Sequence, residues 1–212
     1  MPSRFAAEKV LCDTDRNIPL QKSGVSGEEL MAWVILAVVV GILAFVMMAY
    51  NALVQLRVRA DSAWSDIDVQ LKRRHDLIPN LVETVKGYAT HEKGTFENVA
   101  KYRSMAMSAT TTSERAEAEG QLTMALKGLL AVAEAYPQLQ ASQQFRDLQN
   151  SLSGLESDIQ NSRRYYNAVV RDLNTKIAVF PTNIMAGMFG FQPRQFFEVK
   201  DAGEREPVAV KF

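Results

Sequence analysis

The feature that most restricts this chain is the run over residues 30–50, LMAWVILAVVVGILAFVMMAY, which holds no charged residue. At about 1.5 Å of rise per residue it reaches roughly 30 Å as a helix, the depth of a bilayer's hydrocarbon core. Buried helices of soluble proteins rarely run so long without a charge. Trp33 and Tyr50 lie near the two ends, where amphipathic rings favour the membrane–water boundary. The run exceeds the apolar core of a cleaved signal peptide, and the residues before it are not markedly basic. It reads as a signal anchor that stays in the bilayer, making lipid the partner of residues 30–50.

Orientation follows from cations near the span. Arg16 and Lys22 precede it; Arg57 and Arg59 follow, and then Lys72, Arg73 and Arg74. The near counts are almost level, and the farther triplet tips the balance towards a cytoplasmic C-terminal domain. The expectation is a single-pass protein of a bacterial inner membrane. Residues 1–29 read as a flexible tail, carrying Pro2, Pro19, Gly24 and Gly27. Residues 200–212 read as a loose C-terminal end.

Between these tails, residues 51–199 carry helical periodicity. Leu53, Leu56, Ala60, Ala63, Ile67, Leu71 and Ile78 recur in steps of three and four, with position 74 the missing rung. The pattern predicts that the membrane helix continues outward as one rod. Pro79 lacks an amide donor and crowds the preceding turn, which predicts a kink or break. The stripe continues through Leu81, Val82, Val85 and Tyr88. Gly94 weakens it, and Phe96 and Val99 resume it. Residues 108–113, SATTTS, form the best loop, and Thr111 with Glu114 has capping-box spacing. A helix bearing Leu122, Leu126, Leu129, Leu130 and Ala133 should stop before Pro137.

The clearest signal is the seam Phe145, Leu148, Leu152, Leu155, Ile159, Ser162, Tyr166, Val169, Leu173, Lys176 and Phe180, ended by Pro181. Its alternating steps are those of a coiled coil, interrupted by Ser162 and Lys176. Such a seam is satisfied within one chain or between chains, and a homo-oligomer is one expectation. No run alternates with period two, so strands are not expected. The fold class is all-α: a single N-terminal transmembrane helix continuing into an antiparallel bundle of about four long helices.

Several of these blocks carry a family resemblance. YNALVQLR over residues 50–57, AWSDIDVQLKRRHDLIPNLVETVKGYATHE over 63–92, AVAEAYPQL over 131–139, RYYNAVVRDLNTKIAVFP over 164–181 and GFQPRQFFEV over 190–199 resemble the LemA family of bacterial membrane proteins. The likeness covers most of the domain. It implies one N-terminal membrane helix and a helical bundle, and it implies no enzymatic activity. A branch of the family associated with magnetosome membranes implies a membrane-organising role. The first 29 residues depart from the family pattern, in which the membrane helix often starts earlier.

Chemical motifs are scarce. His91-Glu92 has the start of a zinc-protease motif, but Thr95 stands where the second histidine belongs. His75 and His91 have no cysteine near them, and Asp68 and Asp76 lie about two turns apart, too far to share an ion. Gly187 and Gly190 read as turn glycines. The lone Cys12 cannot close an internal disulfide. No cofactor is expected. Cations and acids balance at 24 each, and Lys72, Arg73 and Arg74 fan around their helix, which argues against nucleic acid.

Two features stand out as interaction or structural candidates. Arg74 occupies the missing rung. Either it turns inward and pairs with an acid such as Glu156 or Asp158, or one near Glu134, or the helix rotates and it reaches solvent. The second is the Phe/Met-rich stretch over residues 181–199, with Met185, Met188, Phe189, Phe191, Phe196 and Phe197. It either folds back over one end of the bundle or offers an apolar patch to a partner or the membrane interface. The functional expectation is a membrane-anchored scaffold or interaction protein that self-assembles, with a role in membrane organisation or remodelling. The rivals are an adaptor or client of another membrane protein or protease, a metal-dependent enzyme, and a sensor whose tail reads the far side.

Overall fold

The computed structural model describes residues 27–198. The tail over residues 1–26, including Cys12, and the end from residue 199 lie outside the described residues. Six helices and no strand occur among the described residues. They divide into two units, residues 1–44 and residues 45–212.

Helix α1, Gly27–Lys86, runs through the uncharged stretch and on into the second unit. It starts before the expected boundary at residue 30, and Glu28 and Glu29 occupy its first turn, where carboxylates suit the positive end of the helix dipole. In the first unit, side chains such as Leu36, Val38 and Leu43 are exposed. This helix is a candidate membrane span by length and composition.

Pro79 neither ends α1 nor breaks it. The reason is local. A proline leaves the carbonyl four residues earlier without its amide donor. That carbonyl belongs to His75, and Arg103 Nε donates to it at 2.9 Å. A side chain from the neighbouring helix replaces the lost bond. The chain turns later, over residues 87–92, before α2, Lys93–Ser108.

Helix α3, Thr112–Glu134, begins with the anticipated capping box. Thr111 Oγ1 accepts from the Glu114 amide, and the Glu114 carboxylate accepts from the Thr111 amide. These bonds hold the Glu114 carboxyl below the usual carboxylate range, the Thr111 amide being the largest cause. Helix α4, Pro137–Ala141, is one turn with proline at its start, the position proline tolerates best. Helix α5, Gln143–Ala178, is capped by Ser142 and carries the long seam. Phe180 lies beyond it and is exposed. Helix α6, Thr182–Met188, follows.

The seams are consumed inside the chain. One apolar cluster joins Ile78, Leu81 and Val85 of α1 to Phe96 and Val99 of α2, Leu122 and Leu129 of α3, and Phe145 and Leu152 of α5. The other joins Leu53, Ala60, Ala63, Ile67 and Leu71 of α1 to Ala116 of α3 and Ile159, Tyr166, Val169 and Leu173 of α5.

The stretch after α6 does not simply close one end of the bundle. From Phe191 to Glu198 it lies along α5. Asn174 Nδ2 donates to the Arg194 carbonyl at 2.9 Å, and its Oδ1 accepts from the Arg194 amide at 2.8 Å. Asn167 grips Phe197 in the same way, at 3.1 and 2.9 Å. Two asparagines seven residues apart, and hence on one helix face, act as paired backbone clamps. Each side-chain amide donates one N–H and accepts at its oxygen, as the backbone of a neighbouring strand would.

Candidate functional site

The distinctive feature of the bundle is a charged layer between its two apolar clusters. On α1 it falls between Leu71 and Ile78, on α3 between Ala116 and Leu122, and on α5 between Leu152 and Ile159. Each helix contributes at that level. Arg74 of α1 is 1% exposed and Glu119 of α3 is 3% exposed. Glu156 of α5 reaches in from a half-buried position.

Arg74 turns inward. Its Nη1 lies 3.1 Å from Glu156 Oε1 and 3.7 Å from Glu119 Oε2. Its Nη2 donates to Thr123 Oγ1 at 2.7 Å. Thr123 in turn donates to the Glu119 carbonyl one helical turn back, at 2.9 Å. His75 Nε2 and Glu119 Oε1 are 2.7 Å apart, a pair in which imidazole donates and carboxylate accepts. One acid on α3 thus holds two neighbouring residues of α1, and one guanidinium ties three helices. The planar fork of arginine suits this task better than lysine's single ammonium. Asp158 and Glu134, considered as partners from the sequence, are exposed.

A cavity of about 190 Å³ adjoins this layer, lined by Arg74, Glu119, Thr123, Glu156, Arg163 and Phe197 among others. Charged walls on a space of this size suit water or a small polar group rather than an apolar ligand. Nearby, Arg115 of α3 pairs with Asp68 of α1 and lies over the Trp64 ring, 5.7 Å from its centroid. Among the described residues no group of three or more His, Cys, Asp or Glu side chains is arranged to hold a metal ion.

The Phe/Met candidates fall into two sets. Phe197 is 1% exposed, packs against Trp64 at 5.7 Å between centroids, and lies under the Arg163 guanidinium at 5.2 Å. Met185 and Phe191 pack at the margin of the same cluster. These three are structural. Met188, Phe189 and Phe196 are exposed, although Phe189 also lies 4.8 Å from the Tyr50 ring. Tyr166 Oη donates to the Gln195 carbonyl at 3.0 Å. Burial pushes this phenol above its ordinary value of 10.0; Arg194 opposes the shift and Asp61 adds to it.

Sequence reasoning missed Glu119, His75, Thr123 and the two asparagine clamps. Glu119 was within reach, because it occupies a rung of the Ala116, Leu122, Leu126 stripe just as Arg74 does on α1. The clamps gave no such sign, since Asn167 and Asn174 lie outside the steps of three and four that mark the seam.

Residues 63–212 match the model of the LemA family. This chain belongs to the LemA family. Among its relatives are Magnetosome protein MamQ 2 of Paramagnetospirillum magneticum, 27% identical over 192 residues, covering 78% of this chain and 71% of that protein. Magnetosome protein MamQ of Magnetospirillum gryphiswaldense is 26% identical over 195 residues, covering 78% and 72%. Protein LemA of Metamycoplasma hominis is 28% identical over 149 residues, covering 69% and 68%. None of these names denotes an enzyme. The LemA-family match starts at Ala63 and so covers the charged layer, the clamps and α6, but not the apolar stretch.

Proposed function

We propose that this LemA-family protein is a membrane-anchored helical scaffold that self-associates in the bilayer and organises or remodels the membrane around it. The observation that carries the reading is the uncharged candidate span leading into the bundle; because both apolar seams are buried within one chain, self-association falls to that span and to exposed surface. The bundle is therefore complete as a rigid module, and α1 carries both that module's first wall and the candidate span. A buried ionic layer costs stability relative to an apolar one, and its best-attested use is to fix register. Register matters for a part that presents a fixed surface. Exposed Met105, Met107, Met124 and Tyr165 remain outside the core for contacts with copies or with other membrane proteins. Relatives that bear the name magnetosome protein support a role in organising membrane. The cations that follow the span support a bundle on the cytoplasmic side of a bacterial inner membrane.

The test is the mass of the full-length protein in mild detergent, measured by light scattering over a range of protein-to-detergent ratios. A defined multiple of 23.7 kDa is expected. A single chain at every ratio ends the self-association reading.

A further inference from the structure

The turn between α5 and α6, and α6 itself, form a surface that the bundle does not explain. Phe180 is 75% exposed and Met188 71%, and Val179, Ile184 and Phe189 are exposed with them. Ile184 and Met188 are four residues apart and share one face of α6. No charged residue occurs anywhere over residues 177–193. A soluble surface of this kind normally carries charges to oppose association.

The height of this surface is set by Tyr50. The Phe189 ring lies 4.8 Å from the Tyr50 ring and the Phe191 ring 6.1 Å from it. Tyr50 closes the uncharged apolar run, and Met47 and Met48 just before it are exposed. Arg57, the first charge after that run, lines the same hollow as Gly190 and Arg194. Lys176 and Arg194 bracket the uncharged stretch of the α6 region. Along the chain, apolar and aromatic residues are flanked by arginine or lysine in both segments, the sequence order found at a membrane–water boundary.

We propose that the α5–α6 turn and α6 insert into the lipid interface as a second, peripheral membrane contact. The occupant of the patch is the lipid surface rather than a protein, because the patch lies against Tyr50, the residue that closes the uncharged apolar run. Two contacts, one spanning and one lying in the interface, restrain the module's tilt, which a single helix does not. The proposal rests on the anchored reading above.

The experiment uses the full chain carrying Cys12→Ser and one added cysteine bearing an environment-sensitive fluorophore. The protein is reconstituted in vesicles of phosphatidylcholine and phosphatidylglycerol, with and without bromine on the acyl chains. Ile184→Cys is the test position, Met188→Cys its duplicate, Val38→Cys the control in the span and Gln144→Cys the control at the far end of α5. Bromine quenching at Ile184 and Met188 is expected to exceed that at Gln144 by at least about twofold, as for a face buried roughly 5–10 Å into the interface. Phe180→Asp with Ile184→Asp should return the Met188 label to the Gln144 level. Quenching at Val38 with none above Gln144 at the α6 positions overturns the docking and leaves the anchor intact. Absence of quenching at Val38 as well overturns the anchored reading and the docking with it. An apolar but unquenched label at Ile184 that becomes polar on dilution with lipid assigns the patch to a second copy, which also overturns the proposal.

Discussion

Replacing Arg74 by methionine tests the charged layer most directly. The substitution keeps much of the volume and deletes the guanidinium. Glu119, 3% exposed, then loses its cation and keeps only His75 at 2.7 Å. Thr123 Oγ1 loses its donor. Glu156 contributes less, because a third of its side chain is exposed and water can resolvate it. Breaking a buried pair from one side costs about 3–5 kcal/mol, since the remaining charge stays desolvated. For a chain of this size each kcal/mol lowers Tm by about 2–4 °C, so Arg74→Met should melt about 6–20 °C lower. Arg74→Met combined with Glu119→Leu removes both charges and should recover most of the loss. Full-length protein in detergent, unfolded thermally and followed by far-UV circular dichroism, gives all three values, and light scattering on the same samples reports assembly. If Arg74→Met melts at or above the parent and its mass is unchanged, the layer has no structural role and the reasoning is wrong.

The remaining tests address the clamps, the proline and the phenol. Asn167→Ala with Asn174→Ala removes four side-chain bonds to the backbone of Arg194 and Phe197. Trypsin should then cut after Arg194 at least about tenfold faster, with the helical unfolding transition little changed. Arg103→Met should cost about 1–3 kcal/mol in chemical denaturation, because the His75 carbonyl loses its donor, and clearly less in a Pro79→Ala background where the helix supplies an amide. Tyr166 has a raised folded pKa, so its contribution is full below the ordinary value of 10.0 and is lost as pH rises through the folded value. Cleavage after Arg194 should therefore accelerate above pH 10.0, and Tyr166→Phe should abolish that dependence.

Much of the architecture was open to reading because its physics is local. An uncharged run long enough to cross a bilayer, steps of three and four, a threonine three residues before a glutamate, and a proline at a helix boundary each act within a turn or two. On these grounds the all-α class, the seams on α1 and α5, the capping box and the stop before Pro137 followed from residues 30–181 alone. Pro79 shows the limit. Its effect on α1 depends on Arg103, 24 residues farther along and on another helix.

The same division holds for the site. The sequence marked Arg74 as a cation on an apolar stripe, but a stripe reports only that a residue faces inward. Which acid meets it depends on how three helices are aligned along their lengths, and Glu119 and Glu156 come to one level only once α1, α3 and α5 are packed. The Phe/Met stretch divided for a related reason. Composition cannot separate Phe197, buried against Trp64, from Phe189, exposed beside Tyr50. The clamps from Asn167 and Asn174 hold one part of that stretch against α5 and leave the other uncovered. Periodicity encodes which face of a helix is buried, through interactions a few residues apart. Tertiary packing alone decides what that face meets, because the partner's distance along the chain leaves no trace in any local pattern.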